Sequence, residues 1–134
     1  MTQRILVVDD EHDLVQLYKI VFQMAGLDVV GTTSGKRAIE EVKDNRPDLI
    51  LLDVMMPEIS GVEVCETIRN MPLEKQPIIF MYSANDSQEN RERCLAAGAD
   101  KLISKGVPVD EVTEVIQQAL PFGSSFAASP GSPM

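Results

Sequence analysis

The chain has 134 residues, room for one ordinary domain with its own core and too few for two. A hydrophobic fraction of 44% and a charged fraction of 25% are those of a globular protein, and with aromatics at 4% and no Trp the core must come from Ile, Leu, Val, Met and Ala. The net charge of -9 argues against non-specific binding to nucleic acid or an anionic membrane, which are themselves negative, and suits a protein that gathers a divalent cation.

Met1 to Arg4 leads straight into Ile5-Leu6-Val7-Val8, without the length or the small-residue cleavage site of a signal peptide. That run reads as a first strand. A helix follows, with Leu14, Leu17, Val21 and Ala25 expected on its inner face and Gly26 as its stop. Val29-Val30 is a short second strand, and Ser34 is the expected N-cap of a helix through Ala38, Ile39 and Val42. Leu49-Ile50-Leu51-Leu52 is the third strand. The third helix runs from Ser60 or Gly61 to about Arg69, with Val64 and Ile68 inward. Ile78-Ile79-Phe80-Met81 is the fourth strand, and the helix from about Ser87 to Ala97 stops at Gly98. Leu102-Ile103 is a short fifth strand, and Val112, Val115, Ile116 and Ala119 mark the inner face of the last helix.

The strands are continuous apolar runs, as expected where both faces of a parallel sheet are covered by helices. Five βα units then predict a doubly wound α/β fold, whose ligand crevice lies beyond the carboxyl ends of the strands. From Pro121 the composition turns to Gly, Ser and Pro, which predicts a domain at 1–121 and a flexible tail or linker at 122–134 that could not form an output domain. No apolar stretch approaches the roughly 18 residues of a membrane span, so a cytoplasmic, reducing location is expected. Cys65 and Cys94 form no C-x-x-C pair and are expected as buried free thiols; His12 is the only histidine.

The chemistry is at the strand ends. The first ends in Asp9-Asp10-Glu11, the third in Asp53, the fourth near Ser83-Ala84 and the fifth near Ser104-Lys105. Carboxylates gathered at one edge repel one another unless a cation joins them, and hard oxygen ligands suit Mg²⁺. A carboxylate can also attack phosphorus to give an aspartyl phosphate, with Lys105 and the Ser83 hydroxyl set against the phosphoryl oxygens. Taken singly, Asp9 to Glu11 could be charges at a helix N-terminus, Asp53 a turn residue, Ser83 a cap and Lys105 a solvated lysine. Their order and spacing favour the joint reading. Met56 is expected to pack, Met55 to sit at the mouth of the site, and Pro57 and Gly61 to shape the loop after Asp53.

Taken together, Val7-Val8-Asp9-Asp10-Glu11, Asp48-Leu49-Ile50-Leu51-Leu52-Asp53, Asp53-x-x-Met56-Pro57-x-x-x-Gly61, Ser83-Ala84, Ala97-Gly98-Ala99-Asp100 and Lys105 resemble the receiver domains of bacterial two-component response regulators, over roughly residues 3 to 120. The resemblance implies a flavodoxin-like (βα)₅ fold with strand order 2-1-3-4-5. It implies Asp53 as phosphoacceptor, with Lys105 and Ser83 on the phosphoryl group. It implies Mg²⁺ held by Asp10 directly, Asp9 mainly through water, Asp53, and the backbone carbonyl of Met55. It further implies a histidine kinase or phosphotransfer protein as donor, a downstream protein or output domain as receiver of the signal, and a switch surface around the fourth helix, fifth strand and fifth helix.

Two positions depart from the family. Leu102 stands where a switching Tyr or Phe is usual. Gly106 stands where Pro, often after a cis bond, follows the lysine; a cis bond before Gly costs about 2.5–4 kcal/mol, so no strong intrinsic bias towards it is expected. Three other readings compete. A haloacid-dehalogenase-like phosphatase needs a carboxylate two residues after the nucleophile, where this chain has Met55. A flavin site needs a neutral phosphate loop where this chain has Asp9-Asp10-Glu11. A receiver-like module that is never phosphorylated would not need the acid set and Lys105.

Overall fold

The computed structural model describes residues 3–120. The expected boundary at 121 and the tail at 122–134 lie outside the described residues. Strands and helices alternate as β1 (Arg4–Val8), α1 (His12–Met24), β2 (Asp28–Thr32), α2 (Gly35–Asn45), β3 (Leu49–Asp53), α3 (Gly61–Arg69), β4 (Ile78–Ser83), α4 (Gln88–Ala96), β5 (Lys101–Ser104) and α5 (Val109–Ala119). The strands form one parallel sheet in the order β2-β1-β3-β4-β5. This is the doubly wound, flavodoxin-like fold.

Each central strand divides its side chains between two cores, because neighbouring residues of a strand point to opposite faces. Leu6, Val8, Ile50, Leu52, Ile79, Met81 and Leu102 pack with α2, α3 and α4. Ile5, Val7, Leu49, Leu51, Phe80, Tyr82 and Ile103 pack with α1 and α5. Both faces are dry, which is why the sequence shows unbroken apolar runs rather than alternation.

The helix ends follow local chemistry. The Ser34 and Ser87 hydroxyls accept the amides of Arg37 and Asn90, and Ser60 forms a capping box with Glu63. Gly26, at φ +87°, closes α1: its amide reaches Gln23 O and that of Leu27 reaches Phe22 O. Gly98, at φ +107°, ends α4 as expected.

The inner face of α1 differs from the expected one. Val15, Tyr18 and Phe22 are buried, Leu14 and Val21 are partly buried beside them, and Leu17 is 42% exposed. Ala25 is the helix C-cap. This helix is apolar around much of its circumference, so periodicity supports two adjacent stripes equally. The stripe carrying the two rings goes inward because it removes more apolar area from water.

Candidate functional site

β1 and β3 lie side by side, with Val8 opposite Leu52, so the residues that follow emerge together at the carboxyl edge. This is where the strand order reverses and a crevice opens. Asp9 and Asp53 are each only 2% exposed, while Asp10 faces solvent. One oxygen from each of Asp9, Asp10 and Asp53 lies within 4.8 Å of the others.

Lys105, just past the end of β5, reaches into this group. Its Nζ is 3.3 Å from Asp9 Oδ2, 3.4 Å from Asp53 Oδ1 and 3.9 Å from Glu11 Oε1. Its backbone amide donates to Ser83 O at 2.9 Å, which ties the lysine to the end of β4. One cation does not satisfy two buried acids. Burial, with the Asp9 charge adding to it, pushes the Asp53 carboxyl up to about 7 against the pull of Lys105 and the Met55 amide. Asp9 is also raised, chiefly by burial, against the pull of the Glu11 amide and Lys105. For Lys105, burial works downward, but Asp53 and Asp9 outweigh it and its pKa rises.

Oδ2 of Asp9 and Oδ2 of Asp53 are buried without a hydrogen bond. Lys105 is within ion-pair distance of the first but not aligned to donate to it. Orphaned buried oxygens carry a real cost, of about 1–3 kcal/mol or more when charged. An oxygen-only donor set with two orphans and an exposed third carboxylate fits a small hard dication that retains water.

The loop after Asp53 is held from both sides. The Met55 amide donates to Asp53 Oδ1 at 3.2 Å, and the Val54 amide donates to Tyr82 O at 3.1 Å. Gly61 starts α3 directly against the Asp53 backbone: a β-carbon there would lie 2.0 Å from Asp53 O. Met55 is 70% exposed at the mouth, and Met56 packs against the core, as expected.

Ser83 ends β4 one residue beyond the Asp53–Tyr82 pair and is buried. Its Oγ accepts the Asn85 amide at 3.0 Å. Leu102 is 4% exposed beneath α4, and its carbonyl accepts Nη1 of Arg91 at 3.0 Å. No described peptide bond is cis, the one before Gly106 included, and the Gly106 amide donates to Ser104 Oγ at 3.2 Å. Cys65 and Cys94 are free and buried, and His12 is exposed at the start of α1.

One participant escaped the sequence reading, and another was named there without its contact. Glu11, expected at the edge with Asp9 and Asp10, reaches Lys105 from the first turn beyond β1. Tyr82 places its ring 5.5 Å from Lys105 Nζ and bonds its hydroxyl to that of Tyr18. The available signal was position alone: Tyr82 immediately precedes Ser83 at a strand end, but a period of two sends it to the far face.

Comparison with known proteins agrees with this geometry. The chain is 36% identical over 134 residues, its whole length, to the alkaline phosphatase synthesis transcriptional regulatory protein PhoP of Bacillus subtilis, and covers 54% of that protein. It thus spans about half the length of the curated relatives it matches. The chemotaxis protein CheY4 of Vibrio cholerae superposes with a TM-score of 0.84 at 27% identity, over 90% of this chain and 100% of that one. The BeF3-activated N-terminal receiver domain of Klebsiella pneumoniae RstA gives 0.81 at 28% identity, over 89% and 99%. The model of the response regulator receiver domain matches residues 5–117, a span that holds every acid of the site together with Ser83 and Lys105. The chain belongs to the response regulator receiver domain family.

Proposed function

We propose that Asp53 is the phosphoacceptor of this receiver, and that Asp9, Asp10, Asp53 and the Met55 carbonyl hold Mg²⁺ beside it. The domain is a signalling phosphoacceptor rather than a conventional enzyme. The observation that carries the assignment is Asp53 itself, a buried carboxylate with one oxygen free of hydrogen bonds and a lysine on the other.

Asp53 Oδ2 attacks the phosphorus of the donor, forming an O–P bond as the bond to the donor's leaving atom breaks and its electron pair departs with that atom. Lys105 is close enough to follow the growing charge on a phosphoryl oxygen, and Ser83 Oγ carries a proton it can donate to another. When bound, Mg²⁺ offsets charge on the phosphoryl oxygens. Asp9 and Asp10 supply the negative charge that holds it there, and burial of Asp9 keeps bulk water from its flank.

The donor is a histidine kinase or a phosphotransfer protein, and the signal passes to a downstream protein or output domain through the α4–β5–α5 surface. No helix among the described residues is long and apolar enough to cross a membrane. We assign the domain to the cytoplasm, where such donors present their phosphoryl groups. Incubation with acetyl phosphate and Mg²⁺, followed by intact mass, tests the acceptor. The parent gains the mass of one phosphoryl group and Asp53→Asn gains none; a gain on the Asn variant refutes the assignment.

A further inference from the structure

Lys105 has a neighbour besides its carboxylates. Its Nζ stands over the ring of Tyr82, 5.5 Å from the centroid. Tyr82 lies in the core between the sheet, α1 and α5, where its hydroxyl is hydrogen-bonded to that of Tyr18, also buried. The two rings meet edge to face, with centroids 5.5 Å apart and planes at 85°, and Tyr18 packs in turn on Phe22 at 5.3 Å. A buried phenol needs a partner for its hydroxyl, and here each supplies the other's. Neither ring can tilt without breaking a bond inside the core. Tyr82 therefore presents a fixed face to the edge of the acidic site.

A lysine needs such a wall. Its four-carbon stem has many rotamers. Asp9 and Asp53 draw Nζ almost equally, at 3.3 and 3.4 Å, and the exposed Glu11 at 3.9 Å draws it towards solvent. The negative face of an aromatic ring attracts the ammonium from a third side and limits where it can stand. Phosphoryl transfer depends on charge placed in advance, so a displaced ammonium slows it.

We infer that Tyr82 is a positioning residue for Lys105, anchored by Tyr18, and that its ring fixes where the ammonium stands relative to the phosphoryl group. The role in transfer rests on Asp53 being the acceptor; the contact itself does not. The chain's only two tyrosines are this pair, and it has no Trp, so intrinsic fluorescence reports on the pair alone.

The test uses the full chain as parent, Tyr82→Leu, Tyr82→Phe, and a variant with pentafluorophenylalanine at position 82. The fluorinated ring keeps its shape but loses its negative face, so it decides the matter even if Tyr82→Leu does not fold. NMR of the Lys105 methylene protons, without phosphodonor, reads the contact: a ring-current shift is expected in the parent and in Tyr82→Phe, and none in Tyr82→Leu. The initial rate with acetyl phosphate and Mg²⁺ reads the function. It is expected to fall about tenfold with Leu or the fluorinated ring and to recover in large part with Phe. A parent without the ring-current shift, or a fluorinated variant reacting at the parent's rate, overturns the inference. A parent that shows the shift but gains no phosphoryl mass instead refutes Asp53 as acceptor while confirming that Tyr82 places the lysine.

Discussion

Oδ1 of Asp53 lies 3.4 Å from Nζ of Lys105, while Oδ2 of the same carboxylate is buried without a hydrogen bond. The Met55 amide adds to the imbalance by donating to Oδ1 as well. The two oxygens of one side chain thereby stand in different surroundings, one held by a cation and an amide and one without a partner.

The raised pKa of Asp53 makes metal-free stability depend on pH. The folded state holds this proton more tightly than the unfolded chain, up to about 7 against an ordinary 3.8. The resulting stabilisation is complete below pH 4 and is lost as pH rises through 7. Asp53→Asn removes the group. In chelator, the variant should match the parent near pH 4 and exceed it by about 1–3 kcal/mol above pH 7, the loss of one Lys105 ion pair limiting the gain. Urea melts across that range check it; a constant difference would refute the burial account.

Removing the lysine should expose the same repulsion. Lys105→Ala leaves Asp9 and Asp53 without their shared cation and should lower metal-free stability by about 1–3 kcal/mol. Mg²⁺ replaces that charge, so it should raise the melting temperature of the variant more than that of the parent. Equal increments in both proteins would show that the ion does not enter this cluster.

Gly61→Ala should disturb Asp53 from behind. The new β-carbon would stand 2.0 Å from Asp53 O and 2.9 Å from its carbonyl carbon, both backbone atoms that cannot turn aside. A loss of about 1–3 kcal/mol is expected, with shifts of the Asp53 and Met55 amides. Denaturant melts and amide spectra measure both, and an undisturbed Asp53 amide would count against the close approach.

Switching should run through Ser83 without a rotating aromatic, because Leu102 is packed beneath α4 and has no ring to swing. A charge-assisted hydrogen bond from Ser83 contributes about 1.5–3 kcal/mol, less than the roughly 5.5 needed to invert a 1:99 equilibrium. A partial population shift is expected in the beryllofluoride complex. Ser83→Ala should reduce the amide shifts across α4 and β5; identical shifts in both proteins would remove Ser83 as the relay.

The order of elements and the acid set were legible because both rest on short-range pattern. Apolar runs gave the strands, Ser34, Ser60 and Gly26 gave helix ends, and polar residues at the ends of the first, third, fourth and fifth runs gave the site. The α1 stripe was not, since Leu17 and Tyr18 are neighbours and only tertiary packing chooses between them. The Tyr18–Tyr82 bond joins residues 64 positions apart and leaves no local trace. The raised Asp53 pKa likewise depends on burial, which composition does not reveal.

Arg91 has a consequence for how other molecules can approach. β5 is the outer strand of the sheet, four residues long, and the guanidinium of Arg91 caps the Leu102 carbonyl in its middle. Outer strands with free carbonyls and amides invite another chain to zip onto them and seed aggregation. Here a cation stands over the central acceptor, and Lys101 is exposed at the strand's start. One acceptor of this edge is therefore already taken, and a partner at this margin meets the cationic side chains of Arg91 and Lys101 before the backbone.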